Sequence, residues 1–118
     1  MPNRNYNKGR AYEYKIKKRY EKLGYTVFRT AGSHSPADLI ALRCLKRIHL
    51  NWNSMSLLDV VLIQCKTIRP VHWQNEPEIE TFLKWARDLG CTGRFYIKTT
   101  EGQTCYDSKR GRCQIEGV

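Results

Sequence analysis

Hydrophobic and polar positions follow two different periods along this chain, and the changes of period mark its elements. Tyr12, Ile16, Tyr20 and Leu23 recur at spacings of four, four and three, which is one face of a helix. Asn7 is placed to cap the start of that helix and Gly24 to end it. Tyr25 to Thr30, "YTVFRT", is β-branched and aromatic and predicts a strand. After the loop "AGSHSPA" come two further strand patterns, "DLIALR" and "DVVLIQCKT", with an irregular segment expected between them from roughly Cys44 to Leu58. Past the break "RPVHWQNEP", Pro77 suits the first turn of a second helix. Ile79, Phe82, Leu83, Ala86 and Leu89 follow at helical spacing, and Gly90 sits just past the end. "RFYIKT" predicts a strand and "QTCYDSKRGRCQIE" a hairpin. The order is α-β-β-β-α-β with an extra strand or two at the end, an α/β domain with a mixed sheet. The chain shows no internal repeat, and 118 residues suit one domain with a single modest core.

Charge narrows the partners. Lys and Arg number 21 against 11 Asp and Glu, a formal net charge of +10, which favours an anionic partner and nucleic acid above others. The first helix concentrates that charge: residues 1–22 carry eight Lys or Arg and two Glu. With no run of about 18 apolar residues, no membrane span is expected. The polar, basic start "MPNRNYNKGR" does not read as a signal peptide, so the expectation is a cytoplasmic or otherwise intracellular protein, possibly virus-encoded. The five cysteines form no Cys-x-x-Cys pair, so neither a zinc ribbon nor a secreted disulfide framework fits, although Cys105 and Cys113 flank a turn and are a candidate bridge. His34, His49 and His72 show no spacing that suggests a shared metal site. Trp52, Trp73 and Trp85 are suited to stacking on bases or to packing, and Trp85, beside Phe82, to packing.

The candidate chemistry begins with "DVVLIQCKTI". In a strand Gln64 and Lys66 point the same way, and burying both without partners would cost several kcal/mol, on the order of 2–7 for each group. Asp38 opens one strand after a Gly, Ser and Pro loop, and Gln64 and Lys66 close the next. An antiparallel hairpin would bring all three to one end of the sheet. A carboxylate and an amide oxygen both ligate Mg²⁺, the carbonyl of Cys65 offers another hard oxygen, and Glu13 on the first helix is a further donor. Lys66 would stabilise negative charge developing on a phosphate. These are the parts of metal-assisted phosphodiester hydrolysis.

A helix with one Glu, then Asp at a strand start, then acid-x-Lys at the next strand end resembles the PD-(D/E)xK nucleases. Within that superfamily, "KGRAYEYKIKKRYEKLGYTVFRTAGSHSPADLIAL" is similar to the archaeal Holliday junction resolvases, densely over residues 8–42 and loosely after 60. The likeness runs through Lys8-Gly9, Glu13, Leu23-Gly24-Tyr25, Arg29, Ala31-Gly32-Ser33 and Asp38-Leu39-Ile40-Ala41. It implies a restriction-endonuclease-like α-β-β-β-α-β core spanning the single domain 1–118, and a catalytic set of Glu13, Asp38, Gln64 and Lys66. It implies a metal site of Asp38, Gln64, Cys65 and Glu13 taking Mg²⁺, with Mn²⁺ able to substitute. Arg10 and Arg29 become candidate phosphate contacts, Lys17 adds to the basic helix face, and Ser33 and Ser35 lie in the loop that would approach the scissile strand. A homodimer acting on four-way junctions is the implied assembly. Two departures stand out: Gln64 replaces the acid of the acid-x-Lys pair, and the segment 44–58 is an insertion relative to a tight hairpin. They leave open a nuclease of a virus or mobile element acting on another DNA, and a binding module that has lost catalysis.

Overall fold

β-strand residues Val60 to Ile63 are apolar at every position because this strand is covered on both faces. The computed structural model describes residues 4–30, 36–67, 76–100, 102–109 and 111–113, the side chains of 4–8, 76 and 111–113 excepted. Its elements run α1 (Arg4–Lys22), β1 (Thr26–Arg29), β2 (Leu39–His49), β3 (Ser54–Thr67), α2 (Glu76–Asp88), β4 (Thr92–Thr99), β5 (Gly102–Asp107) and β6 (Gly111–Cys113). The six strands form one sheet in the order β1-β2-β3-β4-β5-β6. Only β3 and β4 pair in parallel, joined by the crossover through α2, so the sheet is mixed, as expected.

Alternation along β3 divides the core. Val61 and Ile63 pack under α1 with Tyr12, Ile16, Tyr20, Val27, Leu39 and Ala41. Leu62 points the other way and packs under α2 with Ile79, Phe82, Leu83, Ala86 and Phe95. Gly93 on β4 lets α2 sit close, since a Cβ there would lie 2.5 Å from that of Ala86. Both helices end as expected, on glycines in the left-handed region. Gly24 (φ 95°) donates to Glu21 O at 3.1 Å and Tyr25 to Tyr20 O at 3.0 Å, and Gly90 (φ 74°) and Cys91 repeat the pattern on Arg87 and Ala86. Because the helices close there, Leu23 and Leu89 fall outside the helical faces assigned to them and are exposed.

Two further expectations change. α1 is already helical at Arg4, so Asn7 lies within it rather than at its cap. The segment 44–58 is not irregular: β2 and β3 continue as paired strands to His49 and Ser54, with a register shift between Cys44 and Lys46 and a turn at 50–53. The register sets Cys105 opposite Cys113, whose side chain lies outside the described residues, as do Ser33, His34, Ser35, His72 and Trp73.

Candidate active site

The sheet end that carries the start of β2 and the close of β3 gathers the polar residues. Leu39 pairs with Ile63, so Asp38, one residue earlier, stands opposite Gln64 on the α2 side of the sheet. The main chain holds it there: Asp38 N–H donates to Ile63 O at 2.7 Å, and Thr30 N–H donates to Asp38 O at 3.0 Å. The Asp38 carboxylate accepts the Cys65 N–H through Oδ2 at 2.9 Å. Asp38 and Gln64 line one cavity with Pro36, Pro77, Glu78 and Trp85.

Gln64 Oε1 is buried and finds no hydrogen-bond partner among the described residues. Leaving an amide oxygen so placed costs about 1–3 kcal/mol unless a partner beyond the described residues supplies the missing contact. Beside it, burial raises the Asp38 carboxyl above its ordinary range; the Cys65 N–H opposes this, and the negative charge of Glu13 adds to it. Glu13 itself reaches in from α1 and accepts from Arg29 Nε at 3.1 Å. Two carboxylates and an amide oxygen with no partner among the described residues are hard oxygen donors, a set that fits a divalent metal such as Mg²⁺ even with Arg29 and Lys66 drawing the Asp38 carboxyl the other way. Among the described residues, no three His, Cys, Asp or Glu side chains form a metal-holding group, so the amide and a main-chain carbonyl would have to complete any such site. The Cys65 side chain packs in the α1 core with its thiol pushed well up by burial, which leaves its carbonyl rather than its sulfur as a donor.

Lys66 shares the face of Gln64, as the two-residue spacing requires. Its Nζ donates to both carboxylate oxygens of Glu78 at 2.6 Å. Sequence reasoning missed Glu78. Its signal was the helical period itself: Glu78, Thr81, Phe82 and Trp85 lie at i, i+3, i+4 and i+7, one stripe of α2, and all four line the cavity. Trp85 packs against Phe82 with ring centroids 5.8 Å apart.

Glu13 lines a second cavity together with Arg10, Lys17 and Arg29, with Tyr14 and Leu39. The three cations proposed for phosphate contact therefore share one surface next to the acidic cluster.

A scan against protein-family models finds no match for the chain, and a search of curated proteins finds none. Among solved structures it is similar to that of Hjc from Archaeoglobus fulgidus, a Holliday junction resolvase from an archaeal hyperthermophile. The match has a TM-score of 0.55 and 18% identity, covering 86% of this chain and 74% of that one. The fold is restriction-endonuclease-like. The sheet end that holds Asp38, Gln64 and Lys66 is thus presented by a core of known architecture, with α1 supplying Glu13 from one side and α2 supplying Glu78 from the other.

Proposed function

We propose that this protein is a Mg²⁺-dependent endonuclease that resolves four-way DNA junctions as a homodimer. The observation that carries the reading is the pairing of Asp38 with Gln64, whose buried Oε1 has no partner among the described residues, beside a carboxylate of raised pKa and with Lys66 on the same face. Asp38, Gln64, the Cys65 carbonyl and Glu13 would hold the metal, which supplies Lewis-acid stabilisation of charge on the phosphate. Lys66 presents its ammonium to the phosphate, exchanging one oxyanion partner, the Glu78 carboxylate, for another. Arg10, Lys17 and Arg29 grip the sugar–phosphate backbone and fix its register without reading sequence. Resolution of a junction needs two cuts related by symmetry, which two copies of the chain supply. The archaeal neighbour, a resolvase by name, supports this choice among nucleases.

The Lys66–Glu78 pair favours a second reading, a DNA-binding module whose lysine is neutralised. Labelled four-way, flap, duplex and single-stranded DNA, incubated with Mg²⁺ or EDTA, separate the two. Symmetric nicking of the four-way junction, lost in EDTA, is expected. Equal cutting of every substrate points to a nuclease of another specificity, and binding without cutting points to the module.

A further inference from the structure

The β2–β3 hairpin outruns the rest of the sheet. β1 accompanies β2 only over Leu39–Leu42, and β4 accompanies β3 only from Val61. The pairs from Arg43–Asp59 to His49–Ser54 therefore stand as a two-stranded ribbon with no neighbouring strand among the described residues, and the molecule measures 58 Å along its long axis against 30 and 29 Å across. The ribbon is firmly built at both ends. At its base Arg43 pairs with Asp59 at 3.6 Å and lies over the Tyr25 ring, whose hydroxyl donates to the same carboxylate. At its tip Leu50 N–H donates to Asn53 O at 2.7 Å, and Ser54 N–H donates to Asn53 Oδ1 at 2.8 Å. Between these hydrogen bonds the tip holds out Trp52, 87% exposed.

We propose that this ribbon is a DNA-gripping arm, with Arg47 on phosphates and Trp52 packed on base edges in the groove; the proposal rests on reading the chain as a DNA-cutting enzyme. Charge selects the partner: from Arg43 to Leu58 there are three cations and a histidine and no Asp or Glu. The register sorts the side chains. Arg47, His49, Ser54 and Ser56 occupy one face, a donor-rich strip for a polyanion, while Ile48, Met55 and Leu57 surround Lys46 on the other. A two-stranded ribbon fits a B-form major groove of about 12 Å, where an exposed aromatic ring can pack on apolar base edges such as the thymine methyl. The arm also sets a distance. Asp38 and the tip lie at opposite ends of the same strand, and the twelve residues to Leu50 span about 40 Å at about 3.3 Å each. That is about 12 base pairs at 3.4 Å per step, a little over one helical turn from the cut.

The test uses the intact protein, four-way junctions with arms of roughly 8 or 20 base pairs, and binding measured in EDTA across a salt series. Sedimentation equilibrium runs in parallel. Wild type should bind the long-armed junction more tightly than the short-armed one. Arg47→Ala should lower the salt slope on long arms by about one counterion. Trp52→Ala should weaken long-arm binding several-fold, and neither variant should change short-arm binding or mass. Long-arm affinity equal to wild type in both variants overturns the arm. A change in mass that accompanies the loss overturns it too, because the apolar face of Ile48, Met55 and Leu57 would then join two copies. If wild type binds no DNA of either length, the nuclease reading itself fails and takes the arm with it.

Discussion

Replacing Gln64 by Glu puts a second carboxylate directly across the ladder from Asp38. Cross-strand Cβ atoms lie about 4.5–5.5 Å apart, so the two carboxylates would stand at a similar separation. At an effective dielectric of about 20, two like charges roughly 5.5 Å apart repel by about 3 kcal/mol. Burial and Glu13 already raise Asp38 against the opposing pull of the Cys65 N–H, Arg29 and Lys66, so another negative charge adds to an unfavourable balance. Gln64→Glu should therefore destabilise the metal-free protein by about 2–3 kcal/mol at neutral pH, a fall of roughly 10 °C in melting temperature for a chain of this length. A divalent cation reverses the sign, because the added charge becomes a ligand. Thermal melts in EDTA and in a Mg²⁺ series should show the variant less stable without metal but gaining more from it, with half-saturation at least about tenfold lower than wild type. Cleavage should follow the same shift in Mg²⁺ requirement. Equal melting in EDTA, or an identical Mg²⁺-induced shift in both proteins, would refute the placement of Gln64 Oε1 as a metal donor.

The same geometry makes further predictions. The Lys66–Glu78 pair is about one-third exposed on each side, so Glu78→Gln should cost no more than about 1 kcal/mol in urea unfolding yet tighten DNA binding, while Lys66→Ala should abolish cleavage at any Mg²⁺ concentration. A folded-state carboxyl raised above its unfolded value loses stability as pH rises through it. In EDTA Asp38→Asn should therefore melt higher than wild type at neutral pH, and the gap should close as pH falls toward the ordinary carboxylate range. Gly93→Ala drives a Cβ to within 2.5 Å of Ala86 and should cost about 1–3 kcal/mol in urea unfolding by pushing α2 from the sheet.

Much of this site was legible in the chain because strand periodicity and hairpin pairing are local rules. The two-residue spacing of Gln64 and Lys66 fixes their common face, and an antiparallel pairing after a Gly- and Ser-rich loop is enough to set Asp38 against Gln64. The glycines at 24 and 90 likewise mark helix ends without any tertiary information. Glu78 was not legible in the same way, since its partner lies twelve residues earlier and across a chain crossover, and only the packing of α2 on β4 brings the two within 2.6 Å. The ribbon escaped for a different reason. Strand patterning relies on one buried face, and Leu45, Ile48, Met55, Leu57 and Leu58 are exposed on both sides of a hairpin with no layer over it among the described residues. Its register shift at Cys44/Lys46 further breaks the two-residue alternation that would have announced a strand.

The central claim is that the Asp38, Gln64 and Lys66 cluster cuts phosphodiester bonds with a metal. The most direct measurement compares wild type and Asp38→Asn on one labelled four-way junction in Mg²⁺, with binding and single-turnover cleavage read from the same samples. The account predicts junction affinity within a few-fold of wild type and a cleavage rate lower by about 10²-fold or more. An Asp38→Asn protein that binds and cuts as wild type does would contradict it.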